Sequence, residues 1–218
     1  QLLTREVLPV YREEPPVRFR GQARPHLEDI HRALGIVSST MHDQVRVHLP
    51  ADQIVVGGIF GTLGLPMRRE VTDSHRAAAL DAMGRLGIAG LAGRDIMTLS
   101  TGQARRVLVA RELVRDPRVL VFDEPCTGLD PQGMYQLRET MRTLAAEGRS
   151  IILVTHYPED IIPAIDRVLL IKDARVFADG PKDELLRSAV MSDLFDVPLR
   201  VDQHDGWYAL AGDHSGRD

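Results

Sequence analysis

The chain has 218 residues, 27% of them charged and 44% hydrophobic, with a formal net charge of -4. That balance suits one globular domain, or one domain with a subdomain, and excludes a chain disordered throughout. It offers no basic footprint for DNA or RNA, and a single cysteine, Cys126, excludes an internal disulfide.

The start, QLLTREVLPVYREE, has no basic-then-apolar signal pattern and no initiator Met. Ala33–Ser38, ALGIVS, predicts a short buried strand. The weakly polar run Ile54–Met67 contains four glycines and a proline and falls short of the roughly 20 residues that span a bilayer. Thr72 or Asp73 begins a helix with apolar positions at Ala79, Leu80, Met83 and Leu86, and the glycine-rich GIAGLAG follows. Residues 51–98 therefore read as a helical subdomain inserted into an α/β core.

Leu99–Arg106, LSTGQARR, puts a hydroxyl, a glycine and an amide at the head of a helix. Free backbone N–H groups there suit an anion, while an ordinary cap by Ser100 or Thr101 is the plainer reading. Arg118–Phe122 and Ser150–Thr155 are apolar on both faces, as strands of a helix-covered parallel sheet are. Between them Asp130 caps a helix, Pro131 takes its first position, Met134, Leu137, Met141 and Leu144 form its stripe, and Gly148 ends it. The three elements make a right-handed crossover.

After Asp166 a hairpin turning at Asp173-Ala174 is expected at the sheet edge. Residues 183–196 read as helical, a second hairpin turns at Asp205-Gly206, and the closing GDHSGRD is expected to fray.

Two acids end the strand VLVFDEP. The carboxyl end of a parallel strand is where ligands sit, so Asp123 suits a Mg²⁺ and Glu124 suits a base that orients and deprotonates water. A solvated acidic turn is the equal alternative. His156, ending the next strand in VTHYPED, suits a hydrogen bond to a terminal phosphate or to that water.

LSTGQARR, VLVFDEP, CTGLD and VTH, in this order and spacing, resemble the signature, Walker B, D-loop and switch-histidine motifs of ATP-binding cassette (ABC) ATPases. The resemblance covers roughly residues 15–185, and LGIVSSTM with IVVGGIFGTLGL is most similar to molybdate-transport-type members. It implies an α/β fold of the P-loop NTPase type, a parallel sheet flanked by helices with an inserted helical subdomain. Residues 1–50 then belong to a partial ATPase core containing the Q-loop region, 51–98 to the helical subdomain, 99–185 to the core with the four motifs, and 186–218 to a C-terminal extension. The implied ligands are ATP and Mg²⁺. Asp123 becomes the Mg²⁺-associated acid, Glu124 the general base and His156 the γ-phosphate sensor. Asp130 belongs to the loop that touches a second ATPase domain, and Ser100, Thr101, Gly102 and Gln103 contact ATP held by that domain, in a homodimer or heterodimer arranged head to tail.

Two departures stand out. Ser39 occupies the place where the family usually carries a metal-ligating glutamine, and Thr101 replaces the commoner glycine. A larger one is the phosphate loop: G-x-x-x-x-G-K-[ST] is absent, and the two lysines, Lys172 and Lys182, lie after the switch histidine. The sequence reading is therefore of an N-terminally truncated domain, inactive alone, with QLL continuing the helix after the loop. The expected role is a cytoplasmic ATPase subunit peripheral to a membrane, driving a transmembrane permease that docks near Ile54–Leu65, with internal packing of that stretch the equal alternative, and with no nucleic-acid partner. A soluble non-transport ABC ATPase and a degenerate module that lends its signature to a partner are the alternatives.

Overall fold

The computed structural model describes residues 19, 21–22, 26, 29–30, 33–39, 45 and 47–213. The expectations for Gln1–Leu3 and for residues 214–218 lie outside them. Contacts divide the chain into two compact units, Gln1–Leu137 and Arg138–Asp218, with the boundary inside a helix.

The first unit contains strand β1 (Leu34–Ser38), helices α1 (Ala51–Phe60), α2 (Asp73–Arg85) and α3 (Thr101–Leu113), strand β2 (Val119–Asp123) and the first turns of helix α4 (Pro131–Ala146). β1 and β2 pair in parallel, from Leu34 opposite Val119 to Ser38 opposite Asp123. Parallel neighbours need a long crossover, and the helical insertion supplies it. Val37, Leu120 and Phe122 are fully buried, as the apolar strand pattern requires.

α2 starts with a reciprocal cap in which Thr72 accepts from the His75 N–H and the His75 ring accepts from the Thr72 N–H. Its buried face is Ala79, Ala82 and Met83, whereas Leu80 is exposed. One residue is about 100° of helix, so Leu80 turns away from the face that Ala79 and Met83 share. α1 packs on both α2 and α3. Its Ile54, Val55 and Val56 are buried, and a Cβ built on Gly58 would lie 2.1 Å from the Arg111 carbonyl oxygen of α3. Of the two readings of Ile54–Leu65, internal packing holds for Ile54–Gly58, which are core, and only Ile59–Leu65 keep solvent contact.

The second unit contains the remainder of α4, strand β3 (Ser150–Val154), a 3₁₀ turn at Pro158–Asp160, strands β4 (Arg167–Lys172) and β5 (Arg175–Pro181), helices α5 (Lys182–Leu185) and α6 (Ser188–Phe195), and strands β6 (Leu199–His204) and β7 (Trp207–Gly212). Met141 and Leu144 on the α4 stripe are buried. β3 departs from the expectation of two buried faces, for Ile152 and Val154 are each 50% exposed. An apolar face states what could be covered, and among the described residues of this unit nothing covers it.

β4 and β5 form an antiparallel hairpin with Asp173 and Ala174 at φ 51° and 57°. β6 and β7 form another, with Asp205 and Gly206 at φ 50° and 79°. Two left-handed central residues match the strand twist, and Asp-Gly is the sequence signal for that turn. The first hairpin is a two-stranded sheet of its own and not an edge of the parallel sheet. The helix expected over 183–196 breaks at Leu186-Arg187 into α5 and α6. Gly212 and Asp213 do not fray, since β7 runs to Gly212 and the Asp213 N–H donates to the Pro198 carbonyl at 2.9 Å.

A continuous apolar cluster binds this unit. Ile161, Leu186, Met191 and Tyr208 are buried in it, with Leu153 of β3, Ile165, Val168 of β4, Leu194 of α6, Leu199 and Val201 of β6 and Leu210 of β7 packed against them.

Candidate functional site

Three constellations carry the expected chemistry. The first is the carboxyl edge of the β1–β2 pair. The register sets Ser38 opposite Asp123, so Ser39 and Glu124 follow on neighbouring strand ends. Asp123 is exposed. Glu124 takes φ 49°, a left-handed conformation that costs a non-glycine residue roughly 1–2 kcal/mol. The turn that holds it is hydrogen-bonded: the Thr127 hydroxyl donates to Glu124 Oε2 at 3.3 Å and the Thr127 N–H donates to the Glu124 carbonyl at 3.3 Å.

The second constellation is the paired heads of α3 and α4. Ser100 accepts from the Gln103 N–H at 3.2 Å, and the Gln103 side chain accepts from the Ser100 N–H at 3.1 Å. LSTGQ is therefore a capping box, and both polar groups of the motif satisfy the end of their own helix in this conformation. Asp130 does the same for α4, accepting from the Gly133 N–H at 2.7 Å. The two heads touch through glycines, since a Cβ on Gly102 would meet the Gly133 Cα at 3.2 Å. Thr101 is exposed, as are Ser100 and Asp130.

One residue that sequence reasoning passed over links these two constellations. Arg105, one turn into α3, is 2% exposed and donates to the Thr127 carbonyl at 3.5 Å. Burial draws the next arginine, Arg106, below its ordinary pKa. The signal available in the sequence was the pair of arginines inside an otherwise apolar helix.

The third constellation lies in the second unit. His156 follows β3, is exposed, and has its ring 3.9 Å from that of Tyr157. The turn after it is closely tied. Thr155 Oγ1 accepts from the Tyr157 N–H at 3.1 Å and donates to Asp160 Oδ2 at 3.2 Å. Asp160 is 1% exposed, and its Oδ1 accepts from Arg138 Nε and Nη2 at 3.0 and 2.7 Å. Neither Arg138 nor Asp160 was singled out from the sequence, because only the fold brings them together.

No group of three or more His, Cys, Asp or Glu side chains is arranged for a metal among the described residues. Mg²⁺ binds through one or two carboxylates plus water and phosphate oxygens. The exposed Asp123 carboxylate beside the hydroxyl-bearing end of β1 fits such an ion and excludes an all-protein cage among these residues. Among the described residues no helix is long and apolar enough to cross a membrane.

A family profile described as ABC transporter matches residues 9–127, more than half of the chain. The chain is 34% identical over 176 residues to the uncharacterized ABC transporter ATP-binding protein YlmA of Bacillus subtilis (strain 168), covering 80% of this chain and 66% of that protein. It is 31% identical over 182 residues to Nod factor export ATP-binding protein I of Paraburkholderia xenovorans (strain LB400), covering 83% and 57%. This chain thus spans less than two thirds of the length of either relative. Among solved structures, cbiO1 from Clostridium perfringens, part of the ABC transporter complex cbiONQ, matches with a TM-score of 0.62 at 28% identity, over 77% of this chain and 64% of that one. MJ1267, an ATP-binding cassette of an ABC transporter in its ADP conformation, shares the fold with a TM-score of 0.64 at 19% identity, over 80% and 69%. Four motifs in order, a parallel strand pair ending in two acids, and a profile spanning more than half the residues lead to one conclusion: the chain belongs to the ABC transporter family, as an ATP-binding domain.

Proposed function

We propose that this chain is an ATP-hydrolysing subunit of an ABC transporter, one half of a head-to-tail pair of ATPase domains coupled to a transmembrane permease at the cytoplasmic face of a membrane. The observation that carries the reading is the strand register that sets Asp123 opposite Ser38, with Glu124 strained and hydrogen-bonded one residue later. In parallel α/β sheets this carboxyl edge receives the ligand.

Asp123 and Ser39 would hold Mg²⁺, which when bound neutralises phosphate charge. Glu124 would accept the proton of the attacking water, its carboxylate aimed by the Thr127 hydroxyl and by the left-handed backbone. His156 is assigned the γ-phosphate contact by its motif position. Ser100, Thr101, Gly102 and Gln103 would meet nucleotide held by the second domain, the N–H groups at the head of α3 donating to phosphate in place of their capping acceptors, and Asp130 would belong to the loop that touches that domain. Residues 51–98 would serve as the helical subdomain, with Ile59–Leu65 as its permease-facing part. Placement in the molybdate branch rests on LGIVSSTM and IVVGGIFGTLGL alone; cargo choice belongs to the permease, and a relative 31% identical to this chain is named for Nod factor export.

The 218 residues contain no phosphate loop, and both lysines are engaged: Lys172 pairs with Asp196, and Lys182 donates to the Pro163 carbonyl. These residues alone therefore bind Mg-ATP weakly. The same observation favours a second reading, a module that lends its signature to a partner and hydrolyses nothing. Glu124→Gln separates the two when the chain is complemented by a cassette with a complete phosphate loop. Loss of general-base catalysis predicts turnover lower by about 10²-fold or more and an ATP-bound pair that persists. Turnover equal to that of the unsubstituted pair overturns the hydrolytic reading.

A further inference from the structure

The C-terminal residues 186–213 lie beyond the four motifs, yet they are built into the segment that carries His156. The Leu210 N–H of β7 donates to Glu159 Oε1 at 2.9 Å, three residues after the histidine. The register pairs Leu210 with Val201 of β6. That N–H therefore leaves the hairpin to reach a side chain on the histidine turn.

Apolar packing runs in parallel with this bond. Tyr208 of β7 and Met191 of α6 share a buried cluster with Ile161, which follows the turn directly, and with Leu153 of β3, which precedes it. The Tyr208 hydroxyl donates to Asp183, and Lys182 lies over the Tyr208 ring at 5.8 Å. On its other side the turn is held by Asp160, bound to Arg138 of α4 and to Thr155. Asp160 and Glu159 are adjacent residues gripped by different elements, so the backbone from Thr155 to Asp160 has little freedom that does not move one grip.

We propose that the C-terminal hairpin is a positioning element for the His156 turn, acting through the acceptor oxygen of Glu159 on the Leu210 N–H. This deepens the functional reading above, because His156 matters to catalysis only if it meets phosphate. The hairpin would then transmit to that histidine whatever binds or displaces residues 199–212.

The test uses the full chain with isotope-labelled histidines, the His156 signal being identified by its loss in His156→Gln. In Glu159→Ala the Leu210 amide exchanges roughly tenfold faster or more, the change expected when one charge-assisted bond is lost, and the His156 ring signal shifts with it. Glu159→Gln keeps an acceptor oxygen and restores both to near the unsubstituted values. A second variant, Tyr208→Phe, removes a hairpin contact to Asp183 and leaves both Leu210 exchange and the His156 signal in place. Faster Leu210 exchange with an unmoved His156 signal overturns the proposal, as does a Gln variant that behaves like Ala. Correlated shifts in Leu210 and His156, together with a His156 signal indifferent to Mg-ATP in the complemented pair, support the coupling and count against the phosphate-sensing role instead.

Discussion

Gly58→Ala offers a sharp test of how the helical segment is packed. In a helix interior alanine is favoured over glycine by about 0.5–1 kcal/mol, so propensity alone predicts a more stable protein. Here the added Cβ would sit 2.1 Å from the Arg111 carbonyl oxygen and 2.9 Å from the Arg111 Cγ, where ordinary contact begins at 3.4 Å. Relief requires α1 and α3 to separate by more than an ångström along their contact, and overpacking of this kind typically costs about 1–3 kcal/mol. Separation also forfeits dispersion around Ile54, Val55 and Val56. The net expectation is a loss of about 2 kcal/mol. Gly84→Ala in α2 is the internal control, because nothing lies within 4 Å of its built Cβ, and it should stabilise by about 0.5–1 kcal/mol. Hydrogen exchange of the α1, α2 and α3 amides in both variants measures the contrast locally. The two should differ by about 3 kcal/mol, with opposite signs. A Gly58→Ala protein as well protected as the Gly84→Ala protein would refute the close approach, and would reopen α1 as an outward surface.

Two further expectations concern the second unit, where Trp207 is a convenient fluorescent probe. Arg138→Met strands the buried Asp160 carboxylate and should cost about 3 kcal/mol in chemical denaturation, whereas Arg138→Met with Asp160→Leu should recover most of it, since both desolvation costs then vanish together; a double variant no better than the single one contradicts the pairing. Burial first, then the hydrogen bond to Asp183, pushes the Tyr208 hydroxyl up to about 12 from its ordinary 10.0. A folded pKa above the unfolded one stabilises below the unfolded value and is lost as pH rises through the folded value. The unsubstituted chain should therefore lose stability between pH 10 and 12 more steeply than Tyr208→Phe, and parallel curves would refute the assignment.

Particular residues show what the sequence made legible. Hairpin turns at Asp173-Ala174 and Asp205-Gly206 are local events, decided by dihedral preferences of two residues, and both form where expected. The same holds for the heads of α3 and α4, where Ser100, Gln103 and Asp130 act within one helical turn. The ends of β2 and β3 were readable from apolar runs that stop at Asp123 and before His156. The outer face of β3 was misread, because periodicity names the apolar positions and not the neighbours that cover them.

Motif order, helix caps, turn chemistry and family were determined by the sequence alone, since each rests on residues a few positions apart or on spacing along the chain. Tertiary structure decided that Ile54–Gly58 is core, that Arg105 reaches Thr127, that Arg138 neutralises Asp160 and that Leu210 reaches back to Glu159. Each of those contacts joins positions 22 to 51 residues apart or depends on a neighbouring helix's backbone. Such pairings are selected by the collective burial of apolar surface, and no local preference encodes them.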